Sequence, residues 1–301
     1  MARKRSPHIR RFNLFDVFVL AFTISFGLVC VYPMWFVLIA SIMPYDEFVR
    51  TKILLLPTLH PDFQYYRAIL STEVFTSSVT ISVAKTLSTT LLSLFVTATM
   101  AYAVSKTEIK GMKVINALVV FNLFFAGGLI PEYLLYRDIG ILRHFSVMVL
   151  PSALNIIYFI IMRNYFANSV PADLEQAAKI DGAQDITIFF RIIVPLSKAM
   201  FAAVGLFIAV WAWNDYYTYM MFVSNKPALQ PFAWILRRTL VDPSMMAQIR
   251  NQAQAMLQMQ NLPPPALRMT TIILAMVPIM AVYPFLQKHF AKGILIGAVK
   301  E

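Results

Sequence analysis

The sequence predicts an all-α integral membrane protein, and three observations support this: the composition, the length of the apolar blocks and the placement of basic residues. Of the 301 residues, 59% are hydrophobic and 14% are charged, and the mean hydropathy is +0.66. A soluble domain of this size needs more polar surface than such a composition supplies. We therefore expect residues 1–301 to form a single transmembrane domain whose apolar side chains face lipid.

Six apolar blocks are candidates for transmembrane helices. A helix of about 20 residues crosses roughly 30 Å of hydrocarbon, and each block is about that long. The predicted spans are 14–43, 86–104, 115–130, 145–162, 199–223 and 269–285. The third is marginal, because two glycines and a proline interrupt the chain at its end. The first follows a basic start, as in a signal peptide, but its apolar run is far longer than the ~7–15 residues of such a peptide, so we expect it to be retained.

Basic residues near the span ends predict the orientation. More than half of the 26 Lys and Arg residues lie in the tail 1–13, in the loops after the second and fourth spans, and in the tail 286–301. Because cytoplasmic loops are enriched in Lys and Arg, both termini and the loop 166–198 are expected in the cytoplasm. The segment 224–268 then lies on the outer side. This topology and anionic lipid account for the net charge of +11, which does not indicate a nucleic-acid partner.

The cytoplasmic loop 166–198 carries the signals of two short helices. Ser169 suits an N-cap, Pro171 suits a first turn, and acidic residues follow. These features predict a helix over 171–181, which Gly182 ends, and a second over 184–193, which ends before Pro195. The residues alone leave two interpretations open: a rigid pair that docks into a groove of a partner, or an interfacial helix on lipid headgroups.

Several motifs in this loop and around it resemble those of ABC-importer permeases. QAAKIDGA at 176–183 with IVPLS at 193–197 is similar to the EAA loop of that family. FAGGLIPEYLL at 125–135, VLPS at 149–152, WAWND at 211–215 and YPFLQKHFAKGILIGAVK at 283–300 resemble the carbohydrate branch, in its subgroup of lipoprotein and oligosaccharide permeases. The resemblance covers most of the chain. It implies the type I importer permease fold, with six transmembrane helices and a cytoplasmic coupling helix.

In that family the EAA loop forms the helix that inserts into a cleft of the cytoplasmic ATPase. The resemblance therefore implies these ATPase-coupling residues: Glu175, Gln176, Ala177, Ala178, Asp181, Gly182 and Ala183. The family pattern has Glu where this chain has Gln176, and Glu175 stands one position earlier. Because neighbouring side chains point about 100° apart on a helix, which of the two contacts the ATPase stays open.

The chain has no G-x-x-x-x-G-K-[ST] motif that would cradle nucleotide phosphates, and no nucleophile–base or metal-ligand pattern. We expect that it is not an enzyme and binds no cofactor, with ATP and Mg²⁺ held by a separate ATPase. The resemblance implies a bacterial inner-membrane assembly with a second permease subunit, two ATPase subunits and a periplasmic or surface solute-binding protein that delivers an oligosaccharide, such as alginate. Rival classes are a peptide or phosphate permease, an ion-coupled secondary transporter and a membrane scaffold.

Polar and aromatic residues within the spans are candidates for the solute path. They are Asn122, Asn155, Trp213, Asn214, Asp215, Tyr216 and Tyr217. Aromatic rings beside amides and carboxylates suit sugars, and an ionisable residue at membrane depth is a functional candidate. The alternative for 213–217 is an aromatic belt with Asp215 in water, and the alternative for the two isolated asparagines, which we favour, is an interhelical hydrogen bond. For Lys85 we favour snorkelling to the outer interface over a place in the path.

The predicted outer side carries further basic residues and a long segment between the last two spans. Arg137, Arg143, Arg237, Arg238 and Arg250 would suit an acidic sugar. Within 224–268, two helices are predicted, at 231–238 and 245–259, before a run of three prolines. We expect this segment to contact the binding protein; the alternative is a lid that covers only its own bundle.

Overall fold

The computed structural model describes residues 13–51, 56–106, 108–125, 127–257 and 262–297, and the regular elements in these ranges are helical. They are α1 (Leu14–Ile42), α2 (Tyr45–Arg50), α3 (Gln64–Leu70), α4 (Glu73–Ser105), α5 (Met112–Phe121), α6 (Leu129–Asp138), α7 (Ile156–Asn168), α8 (Ala172–Ile180), α9 (Asp185–Ile188), α10 (Val194–Leu196), α11 (Lys198–Asn214), α12 (Tyr217–Phe222), α13 (Phe232–Val241), α14 (Pro243–Leu257) and α15 (Pro264–Gly297). Short 3₁₀ turns and one π-helical segment, Phe189–Ile193, join some of them. Most of the predicted tail 1–13, the end of the tail 286–301 and the end of the predicted helix 245–259 lie outside the described residues.

The centre of the bundle is α4, which packs against α7 and α11, and α11 in turn packs against α15. One stripe of α4 is buried although it is polar, with small hydroxyl side chains at Ser78, Ser82, Thr89, Ser93 and Thr97. Their spacing of three or four residues, interrupted only by Lys85, places them on a single helix face. Small side chains let neighbouring helices approach closely, which explains why a helix this polar lies inside the bundle.

The first helix is exposed over most of its length. Only Ile39, Ala40 and Ser41 of α1 are buried, at the end that packs against α15. Aromatic and aliphatic side chains cover the rest of its surface. A helix that is apolar all round needs lipid or another protein chain to cover it, so α1 is suited to a membrane.

The helices differ in several places from the predicted spans. Three helical stretches are individually long and apolar enough to cross a membrane, and the described residues provide up to five such spans if each bent helix pair counts as one. The third predicted span is wrong as one helix over 115–130, because α5 ends at Phe121 and Gly128 takes a positive φ of 89° before α6 begins. The total of six spans stays a prediction.

Two further spans are bent. The block 145–162 begins as 3₁₀ turns around Pro151 and becomes α7 after a bend of 41°. The block 199–223 is broken between α11 and α12, at Asp215. The second span is longer than predicted, since α4 begins at Glu73, where the Thr72 side chain caps it.

The segment between α12 and α15 packs onto its own bundle. Helices α13 and α14 contact each other, α13 contacts α4, and α14 contacts α3. A shared apolar cluster includes Tyr65, Trp213, Phe232, Met246 and Ile249. The segment is therefore part of the helical bundle, and its exposed surface is available for contacts with other proteins.

The contact between α4 and α11 leaves little room at Gly205. A Cβ atom added there would lie 3.1 Å from Cδ1 of Leu94. We expect Gly205→Val to destabilise the fold by about 1–3 kcal/mol, because the half-buried Leu94 side chain would have to move. Urea unfolding in detergent measures this. The control is Gly27→Val on α1, where an added Cβ meets nothing within 4 Å; equal effects of the two substitutions would contradict the packing argument.

Candidate functional site

The loop 166–198 forms the predicted helix pair. The N-cap predicted at Ser169 is wrong, because Ser169 follows the last residue of α7, and Pro171 precedes α8 without a side-chain cap. Helix α8 ends in the predicted way, with Gly182 at φ 81° and the Ala183 N–H bonded to the Ala178 carbonyl at 2.9 Å. The second helix is longer than predicted, since α9 continues through the π-helical segment into α10 and includes Pro195. Here the Val194 N–H reaches the Phe189 carbonyl, and this wider turn accommodates the proline, which has no N–H to donate.

A partly buried ion pair helps to hold α8 to the rest of the chain. The Glu175 side chain accepts a hydrogen bond from Lys106, which follows the last residue of α4. The Lys106 ammonium also lies 4.7 Å from the ring centroid of Tyr102. Glu175 is only 8% exposed. Its carboxylate is therefore committed to its own chain and fixes the position of α8.

The opposite face of α8 is exposed and partly apolar. Gln176, Ala177, Asp181 and Gly182 are exposed, whereas Ala178 is buried and Ala183 is half-buried. Leu174 and Ile180 add apolar surface to the exposed face, and Ile180 is 87% exposed. Exposed aliphatic side chains on a short, rigid helix are typical of a contact surface for a partner protein.

A second buried ion pair lies where α11 breaks. The Lys85 side chain is 0% exposed and that of Asp215 is 6% exposed, with 2.6 Å between Nζ and Oδ2. Nζ also donates to the Asp215 carbonyl, and the other carboxylate oxygen accepts the Thr218 N–H at 3.1 Å, in the first turn of α12. The Lys85–Asp215 pair thus satisfies both the end of α11 and the start of α12.

This arrangement corrects the snorkelling expected for Lys85 and decides against the alternative in which Asp215 stands in water. Each residue neutralises the other inside the bundle. The two residues are 130 positions apart, so no local spacing relates them. The only signal in the sequence was a cation at the edge of one apolar block and an anion within another, since opposite charges at membrane depth favour pairing in low dielectric.

A cavity of about 500 Å³ lies beside this break. It is lined by Tyr158, Leu206, Phe207, Val210, Trp211, Asn214, Asp215, Tyr216 and Tyr217. The structure thus brings together four of the predicted path residues, Asn214 to Tyr217. It adds Trp211 and the stacked rings of Tyr158 and Phe207, whose centroids are 6.4 Å apart. Sequence spacing gave no signal for this stack, since its rings come from α7 and α11.

The other three path candidates do not line this cavity. The indole N–H of Trp213 donates to the Ala275 carbonyl of α15 at 3.1 Å, so Trp213 packs the bundle. Asn122 donates to the Leu118 carbonyl of its own turn, and Asn155 caps α7 by accepting the Ile157 and Tyr158 N–H groups. The prediction that the two asparagines make interhelical hydrogen bonds is wrong for the described part of the chain.

We expect Lys85→Met and Asp215→Asn each to lower the free energy of unfolding by roughly 3–5 kcal/mol, because each leaves a buried charge without its partner. The double variant should recover most of this loss, since Asn still caps α12 and no lone charge remains. Urea unfolding of the four proteins in detergent measures the coupling between the sites. Losses that simply add in the double variant would show that the pair is not the cause.

Comparisons with known proteins agree with this geometry. The family described as the binding-protein-dependent transport system inner membrane component matches residues 112–296. The polygalacturonan/rhamnogalacturonan transport system permease protein YtcP of Bacillus subtilis is 38% identical over 290 residues, covering 96% of this chain and 99% of that protein. Protein LplC of the same organism is 36% identical over 290 residues, covering 96% and 95%.

A solved structure is also similar. It is a chain of a bacterial ABC transporter involved in the import of the acidic polysaccharide alginate, with a TM-score of 0.85 and 29% identity over 95% of this chain and all of that chain. The likeness confirms the predicted type I permease fold. The chain therefore belongs to the family of binding-protein-dependent transport system inner membrane components, the multi-pass permeases of ABC importers.

Proposed function

We propose that this chain is one transmembrane subunit of an ATP-driven importer of acidic oligosaccharides and forms half of the translocation path. Similar proteins along the whole chain are described as acting on polygalacturonan or rhamnogalacturonan and on alginate, which are acidic polymers. The observation that carries the proposal for this chain is α8, a helix held by a partly buried ion pair with an exposed apolar face.

The proposed importer needs further subunits beside this chain. A second permease subunit would complete the path, and two ATPase subunits would bind ATP and Mg²⁺, with no cofactor on this chain. Both termini would be cytoplasmic, on the side of α8. A soluble binding protein would deliver the sugar to the exposed surface of the segment that includes α13 and α14.

The contacts suggest how motion at α8 would reach the cavity. Closure of the ATPase subunits would move α8 as a rigid body, and Glu175 would carry that motion to Lys106 at the end of α4. Lys85 lies 21 residues earlier on the same helix, about 32 Å away. There α4 meets α11 through the Lys85–Asp215 pair, beside the cavity. One rigid helix thus connects the two sites.

Reconstitution of the complex tests the proposed function. Proteoliposomes with both permeases and the ATPase should accumulate trigalacturonate only when ATP and the loaded binding protein are present. The measurement is uptake of radiolabelled sugar alongside ATP hydrolysis. Uptake driven by an ion gradient without the ATPase would contradict the proposal, and so would transport of a peptide or phosphate in place of the sugar.

Substitutions at Gln176 and Glu175 should have different effects on the complex. Gln176→Arg should reduce co-purification of the ATPase, because its side chain is on the exposed face of α8. Glu175→Gln should leave the ATPase bound but lower the sugar transported per ATP hydrolysed, because α8 loses its ionic link to α4.

The matched control is Gln248→Arg, an exposed glutamine on α14, which is predicted to lie on the opposite side of the membrane. It should not change ATPase co-purification. If Glu175→Gln releases the ATPase and Gln176→Arg does not, then Glu175 makes the direct contact and the assignment is reversed.

A further inference from the structure

We propose that Arg237 is the residue of this subunit that recognises a sugar carboxylate, and that the cavity beside it binds one uronate unit of the chain being transported. This inference rests on the proposed function, because it assigns one unit of the proposed acidic oligosaccharide to the cavity beside Asp215. It concerns a side chain on α13, outside the predicted spans.

Arg237 does not itself line the cavity but is held against Tyr216, which does. Its Nη1 donates to the Tyr216 hydroxyl at 2.7 Å, and its guanidinium carbon lies 4.5 Å from the centroid of the same ring. Tyr216 itself lines the cavity. A cation over an aromatic face is restrained in orientation, so the guanidinium is positioned before any ligand arrives.

Arg237 is a free cation in the described part of the chain, where no carboxylate lies within ion-pair distance of it. The neighbouring Arg238 differs, because its Nη2 lies 2.6 Å from the Asp242 carboxylate. Hydrogen bonds from Ser244 and Arg238 hold the pKa of Asp242 at about 2, so the Arg238–Asp242 pair stays ionised at neutral pH. Two adjacent arginines therefore have different roles: one is neutralised locally and the other is exposed and available.

The charge inside the cavity favours an anion at Arg237. Asp215 is the carboxylate that lines the cavity, and Lys85 neutralises it from within the bundle. Asp215 therefore neither compensates Arg237 nor strongly repels an incoming carboxylate. The charge that remains next to the cavity is positive, and the planar guanidinium can bind a carboxylate through two parallel hydrogen bonds.

The other lining groups suit a sugar ring. Tyr158, Phe207, Trp211 and Tyr217 supply aromatic rings of the kind against which the C–H face of a pyranose packs. Asn214 adds an exposed amide, whose nitrogen also donates to the Val210 carbonyl at 2.8 Å. A uronate combines such a ring with a carboxylate. The phosphate of an anionic lipid shares the charge but not the ring, so the aromatic lining favours the sugar.

Equilibrium binding tests the inference directly. The complex, assembled with its partner subunits in nanodiscs of phosphatidylcholine, would be titrated with labelled trigalacturonate and with neutral galactotriose in the absence of the binding protein. We expect Arg237→Gln to weaken trigalacturonate binding at least tenfold, with little change for galactotriose, because one charge-assisted contact is lost. Arg237→Lys should retain part of the affinity.

The matched control is Arg238→Gln, which removes the same charge one residue away and should leave both affinities unchanged. The inference is overturned if Arg237→Gln binds trigalacturonate as tightly as the parent, if both sugars weaken equally, or if the parent binds neither. Binding of phosphatidylglycerol added to the nanodiscs, with no sugar binding, would assign the cavity to lipid instead. ATP-driven uptake by the Arg237→Gln complex that equals the parent's, with its binding unchanged, would leave the proposed function standing and remove only this inference.

Discussion

The buried pair of Lys85 and Asp215 is the constraint on which the membrane part of this structure depends. An unpaired charge at this depth would be strongly destabilising, so α4 and α11 are fixed in one relative position wherever the pair is intact. The break between α11 and α12 is placed by the same contact, because Asp215 serves both helix ends. The cavity exists because the helix is interrupted at that point and the rings of α7 and α11 surround the gap.

A second consequence of the pair is electrical. A lone charge that moved across the membrane field would couple the motion to the membrane potential, at about 2.3 kcal/mol per charge for each 100 mV. Lys85 and Asp215 carry opposite charges and are held together, so their joint displacement transfers no net charge. In the proposed mechanism the motion would then be driven through the contacts of α8 and not by the membrane potential.

The sequence predicted the parts that depend on local chemistry. The helical class, the end of α8 and the left-handed Gly182 follow from short-range rules of capping and propensity. The partners of Glu175 and Lys85 did not, since each lies far along the chain on another helix. Helix interruptions were also missed: the turn at Phe189–Ile193 tolerates Pro195, and the chain leaves its helix at Phe121 although the apolar run continues. Apolar residues alone do not show where a helix breaks.

The exposed first helix has a consequence for how the chain is completed during synthesis. Because α1 is buried only near Ile39 to Ser41, nothing in the middle of the protein is needed to hold it in lipid. Its packing partner is α15, where Met269 meets the cluster around Ile39 and Thr270 donates to the Ser41 carbonyl at 3.5 Å. The contact between α1 and α15 therefore forms only after α15 has been translated. A chain that stalls before residues near 270 would keep the contact between the Ser41 and Tyr66 hydroxyls, which are 2.7 Å apart, but α1 would lack its helix partner α15.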